Sequence, residues 1–70
     1  MTYAIEYEQN GETVRDWGVT TRKAAESYAR RLSNALNELV YVVVFPDQGA
    51  AVGHKSFYCG AVSETSGDYA

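Results

Sequence analysis

Seventy residues, 46% of them hydrophobic, make one domain with one core, and a chain this short buries only about 60% of the surface it exposes when unfolded. Cys59 is the single cysteine and His54 the single histidine, which excludes an internal disulfide and a four-ligand zinc site within one chain. The net charge is -3, yet four of the six basic residues and only two of the nine acids lie between Thr20 and Glu38, so the one stretch with a helical pattern is basic on an acidic chain.

Small domains are commonly reinforced by disulfides, metals or association, and association is the support this composition leaves open. The many aromatic residues, six of them Tyr, suit half-buried positions that meet a partner, because each ring offers an apolar face and Tyr a polar handle. No apolar run approaches the roughly 20 residues of a membrane span. The start MTYAIEYEQ lacks the basic and apolar regions of a signal peptide, so a soluble cytoplasmic protein is expected.

From Thr2 to Glu8, Tyr3, Ile5 and Tyr7 alternate with Ala4, Glu6 and Glu8, the period of a half-buried strand. Asn10-Gly11 follows and supplies the two positive-φ positions of a type I′ hairpin turn. The second strand is expected from Glu12 to Val19. A two-residue turn pairs Glu8 with Thr13, Tyr7 with Val14, Glu6 with Arg15 and Ala4 with Trp17. This register puts Asp16 inward and Trp17 outward. A bulge near Asp16 would turn Trp17 into the core, and burial is the expectation for a lone Trp in a small domain. If it stays outward, Trp17 joins the partner-binding candidates.

Thr20 is the expected N-cap of a helix. Ala25, Tyr28, Ala29, Leu32, Leu36 and Leu39 then recur at three- and four-residue spacing and form one apolar stripe. Lys23, Glu26, Ser27, Arg30, Ser33, Asn34 and Asn37 fall on the opposite, solvent side, with Arg22 and Arg31 on its flanks. Val40 to Phe45 is a β-branched and aromatic run suited to an interior strand, and Pro46-Asp47-Gln48-Gly49 ends it. A last strand is expected within Gly53 to Ser63, followed by a flexible polar tail, Glu64 to Ala70.

The expected fold is therefore α+β: a four-stranded antiparallel sheet with one helix packed on one face, in the order ββαββ, forming a single domain over residues 1–63. One helix covers one face of the sheet. The other face takes those of Tyr41, Val43, Phe45, Phe57 and Tyr58 that point away from the helix, and an exposed apolar face of that kind marks an interaction surface, for a second copy in a homodimer or for another partner.

Catalytic and ligand-binding signals are weak in this chain. His54 beside Lys55 has no nucleophile in a recognisable setting, and Cys59 reads as a small apolar strand residue. Glu6, Glu8, Glu12 and Asp16 lack the spacing of an oxygen-ligand loop, and the scattered glycines form no phosphate cradle. No enzyme activity, metal or cofactor is expected. The segment Lys55 to Val62 matches the RNA-recognition signature only at its Lys and first aromatic residue. Binding of nucleic acid is expected only as part of a protein complex, since the acidic body opposes a large phosphate footprint.

The basic helix positions are the leading binding candidates: Arg22, Lys23, Arg30 and Arg31. Arg22 and Lys23 stand in the first turn, where the helix dipole disfavours cations by about 0.3 to 1 kcal/mol each. A feature that opposes local preference points to a partner; the alternative is an ordinary solvated face balanced by the acidic hairpin.

Tyr3-Ala4-Ile5-Glu6-Tyr7, the Asn10-Gly11 turn, Trp17-Gly18-Val19-Thr20-Thr21 and the Ala-rich run from Ala24 to Leu32 together resemble the small orphan proteins of bacteriophages and mobile elements. Anti-CRISPR proteins include single domains of this size and element order. The resemblance covers the architecture of residues 2–63 and carries no functional residue across. It implies a non-enzymatic, protein-binding inhibitor in a host bacterial cell that occupies a functional surface of a CRISPR-Cas effector. A nucleic-acid-associated regulatory domain and a phage structural or assembly protein are the alternative readings.

Overall fold

A computed structural model describes residues 1–19 and 21–69. The elements run β1 (Thr2–Gln9), β2 (Glu12–Asp16), α1 (Arg22–Leu36), β3 (Val40–Phe45), β4 (Gly53–Tyr58) and β5 (Ala61–Gly67). All five strands join one antiparallel sheet in the order β2-β1-β3-β4-β5. The α+β class and the single helix match expectation. The sheet has five strands instead of four, and the order is ββαβββ.

The first hairpin follows its sequence signal. Asn10 and Gly11 have φ of 54° and 80°, the paired positive values of a type I′ turn, and Glu8–Thr13, Tyr7–Val14 and Glu6–Arg15 pair as expected. The register then runs without a bulge to Ile5–Asp16. There the Asp16 Oδ1 accepts from the Gly18 N–H at 2.8 Å, a local turn that ends β2 three residues earlier than expected. With no bulge to reverse it, Trp17 stays outward and is 49% exposed, which corrects the expectation of a buried ring.

Thr21 caps α1, its hydroxyl accepting from the Ala24 N–H at 3.1 Å; Thr20, the expected cap, lies outside the described residues. The helix stops at Leu36 because Asn37 takes the left-handed conformation, φ 55°. Leu39 therefore falls outside the apolar stripe and is exposed. Ile5, Val40, Val42 and Phe57 pack against Ala25 and Ala29 to form the core, with Tyr3, Tyr7, Tyr28, Leu32 and Tyr69 around them. The two buried alanines let the helix lie close to the strands.

The expected last strand and polar tail are two parts of a second hairpin. Cys59 and Gly60 have φ of 50° and 81°, repeating the two-residue geometry of Asn10-Gly11. Residues Glu64 to Gly67, expected in the tail, belong to β5, which pairs along β4 with one register shift between Ser56 and Phe57. Past β5, Asp68 N–H bonds the Val52 carbonyl at 2.9 Å, and Tyr69 returns to the helix.

That hairpin explains why Ser33 and Glu26, both assigned to solvent by helical periodicity, are covered. Ser33 is fully buried: its hydroxyl donates to the Arg30 carbonyl at 2.9 Å and accepts from the Gly60 N–H at 3.0 Å. The Cys59 thiol donates to the Asn37 Oδ1 at 3.2 Å. Glu26 receives the Tyr69 hydroxyl.

Candidate functional site

The helix contacts β1, β3 and β4 on the face that carries Ile5, Val42 and Phe57. Strand alternation puts Ala4, Glu6, Arg15, Tyr41, Val43, Phe45, His54, Ser56, Tyr58 and Glu64 on the other face. Phe57, one of the aromatics considered for this open face, lies on the helix side and is fully buried. Among the described residues no second helix covers the open face.

An aromatic cluster lies toward its β2 edge. The Trp17 and Phe45 rings lie 4.8 Å apart at 47°, and the Arg15 guanidinium stands 5.7 Å and 5.4 Å from their centroids. Arg15 is also ion-paired with Glu6. Ala4, small and fully buried, lies on the same face in β1, opposite Val43. Toward β5, Tyr41 meets His54 edge to face at 5.3 Å, and His54 Nε2 is 3.7 Å from Glu64 Oε1. Tyr58, 47% exposed, completes the face.

The four basic helix residues are divided by the fold. Arg22 pairs with Glu26 at 3.2 Å and lies 5.1 Å over the Tyr69 ring. Arg30 donates to the Gly60 carbonyl at 3.1 Å and lies 5.0 Å over Phe57. Both guanidiniums thus hold the C-terminal hairpin against the helix. The Glu26 hydrogen bond keeps Arg22 even more firmly protonated than usual. Arg31 donates to the Ser27 carbonyl at 3.4 Å. All four, Lys23 included, are exposed, and Arg22 and Arg30 already have partners within the chain.

His54 and Cys59 stand at opposite ends of β4 and are not brought together. A shallow cleft of about 250 Å³ is lined by the carboxylates of Glu6, Glu8 and Glu38 with Tyr7 and Tyr41, and holds neither of them. Among the described residues no three His, Cys, Asp or Glu side chains are grouped to hold a metal ion, and no helix is long and apolar enough to cross a membrane.

The hairpin register put Glu6 and Arg15 on the outer face, Trp17 was expected to turn inward, and Phe45 was among the residues considered for the uncovered face; that Trp17 and Phe45, two strands apart, meet there was not anticipated. The signal was present in the parity of Val40 to Phe45, and using it required knowing that β1 lies between β2 and β3. No protein-family model, curated protein or solved structure matches the chain.

Proposed function

We propose that the chain is a non-enzymatic protein-binding module whose recognition surface is the open face of the sheet. The observation that carries this reading is the exposed Trp17, packed at a tilt against Phe45 and flanked by Arg15. Trp, Tyr and Arg dominate the energetic centres of protein interfaces, and a ring already held by neighbours loses little freedom on binding. Lys23 and Arg31, on the outer side of α1, offer an additional contact for an acidic surface.

The partner class implied by the resemblance to anti-CRISPR proteins is a CRISPR-Cas effector, blocked by stoichiometric occupation of its surface. The fifth strand departs from the ββαββ order on which that resemblance rests, so the partner class and the surface are tested separately. Tagged protein expressed in a bacterium with an active CRISPR system is expected to recover a Cas protein and to relieve plasmid interference. Neither effect would be seen if the partner class is wrong. Trp17→Ala is expected to weaken capture at least about tenfold. Full capture by Trp17→Ala, with loss in the Lys23→Glu/Arg31→Glu variant, would move recognition to the helix.

A further inference from the structure

We propose that a second copy of this chain covers the open sheet face, forming a twofold pair whose axis runs parallel to β3 between the two sheets. This rests on the reading of that face as a protein-recognition surface and takes a second copy as its occupant in the isolated protein, one that any other partner of the same face must displace. Charge placement is the leading argument. The strand registers align Arg15, Glu6, Tyr41, Ser56 and Glu64 in one row across the sheet. Arg15 stands at the β2 end and Glu64 at the β5 end, with β3 in the middle. A half turn about an axis along β3 exchanges the two ends, so Arg15 of each copy faces Glu64 of the other.

Both groups have capacity for that contact. The Glu64 side chain is 69% exposed, and its neighbour His54 counters its charge only when protonated. Arg15 binds Glu6 through one terminal nitrogen and has further N–H donors in its planar fork. Along the axis itself lie Tyr41, Val43 and Phe45, each meeting its own counterpart. The adjacent row, Ala4, Val43, His54 and Ser66, carries Trp17 beyond its β1 end, and the same half turn brings that indole over the His54 side of the other sheet. Two sheets related in this way keep their strands nearly aligned, as in sandwiches packed about 10 Å apart at about -30°.

Size sets a limit as well: extents of 32 and 22 Å allow one face at most about 700 Å² in projection, so the pair must use nearly the whole open face to approach the roughly 800 Å² per partner of a standard interface. The pair would cover the exposed Trp17 and Tyr58 rings of a small domain whose single cysteine rules out an internal disulfide, and it leaves the Lys23 and Arg31 sides of both helices outward.

Sedimentation equilibrium over a micromolar-to-millimolar range tests this on the full chain. Wild type is expected to dimerise. Arg15→Glu and Glu64→Arg each set like charges against one another twice per pair and are expected to raise the dissociation constant at least about tenfold. An equimolar mixture of the two variants is expected to recover the dimer, because the mixed pair holds one native and one reversed Arg–Glu contact. Circular dichroism verifies folding; should Arg15→Glu fail to fold beside Glu6, the exposed Glu64→Arg still reads the interface. Wild type that remains monomeric throughout, or a mixture that associates no better than its components, overturns the pair. A monomeric chain that still loses another protein partner on Trp17→Ala would overturn the second copy and leave the open-face reading standing. If Trp17→Ala alters neither self-association nor partner capture, both fall.

Discussion

Three groups converge on the Glu26 carboxylate: the Tyr69 hydroxyl, Arg22 at 3.2 Å and Lys55 at 3.5 Å. Burial pushes this carboxyl up, but the hydrogen bonds from Tyr69 and Arg22 and the charges of Lys55 and Arg22 outweigh it and leave it below its usual 4.5. Tyr69 moves the other way, raised above its usual 10.0 by burial first and then by its bond to the negative Glu26. A depressed carboxyl contributes stability above about pH 4.5 that is lost as pH falls. A raised phenol contributes stability below about pH 10 that is lost as pH rises. Stability is therefore expected to fall off on both sides of a neutral plateau. Tyr69→Phe is expected to cost about 1–2 kcal/mol at pH 7, lowering the unfolding midpoint by roughly 5–15 °C, and to make the alkaline decline shallower. Denaturant titrations from neutral pH to beyond pH 10 check this, and an unchanged alkaline slope would remove Tyr69 from the account.

At the scale of elements, the two hairpins share a turn geometry but differ in how openly the sequence declares it. Asn10 adopts positive φ readily, because its short polar side chain bonds its own backbone, whereas Cys59 does so at a cost of about 1 kcal/mol. Cys59→Asn is expected to recreate the first turn in the second hairpin and stabilise the fold by about 0.5–1 kcal/mol, read as a higher thermal midpoint; a lower one would mean that the thiol contact with Asn37 outweighs the backbone strain. Ser33→Ala removes a hydroxyl that both donates and accepts, leaves the Gly60 N–H without its partner, and is expected to cost about 1–3 kcal/mol in the same measurement. These positions also show what was legible. The first hairpin, helix and central strand follow from local residue pattern. The second hairpin does not, because Cys-Gly is a weak turn signal and Ser63 to Gly67 has no apolar alternation. Without that hairpin, helical periodicity alone leaves Ser33 and Glu26 to solvent, since their coverage comes from Gly60 and Tyr69, far along the chain.

For the whole molecule, the charge division seen in the sequence becomes a difference between layers. Two of the basic helix residues bind the C-terminal hairpin, which periodicity along one helix cannot reveal. The open face is governed by the β2-β1-β3-β4-β5 order, which brings Trp17 and Phe45 together across β1. If a second copy covers that face, stability depends on concentration: the thermal midpoint of wild type is expected to rise with protein concentration, while that of Glu64→Arg stays nearly constant. Calorimetry at several concentrations measures both, and a flat wild-type midpoint would count against the pair.

The position of β3 has a kinetic consequence. Each hairpin closes on a two-residue loop and can assemble from neighbours in sequence, but β1 reaches β3 only after the chain has passed through the helix. The two hairpins are therefore quick units, β3 joins the second across the short 46–52 connection, and the β1–β3 pairing is expected to close last and limit the refolding rate. In native-state hydrogen exchange, the amides of β2 and β5 are expected to exchange first and those of β3 last.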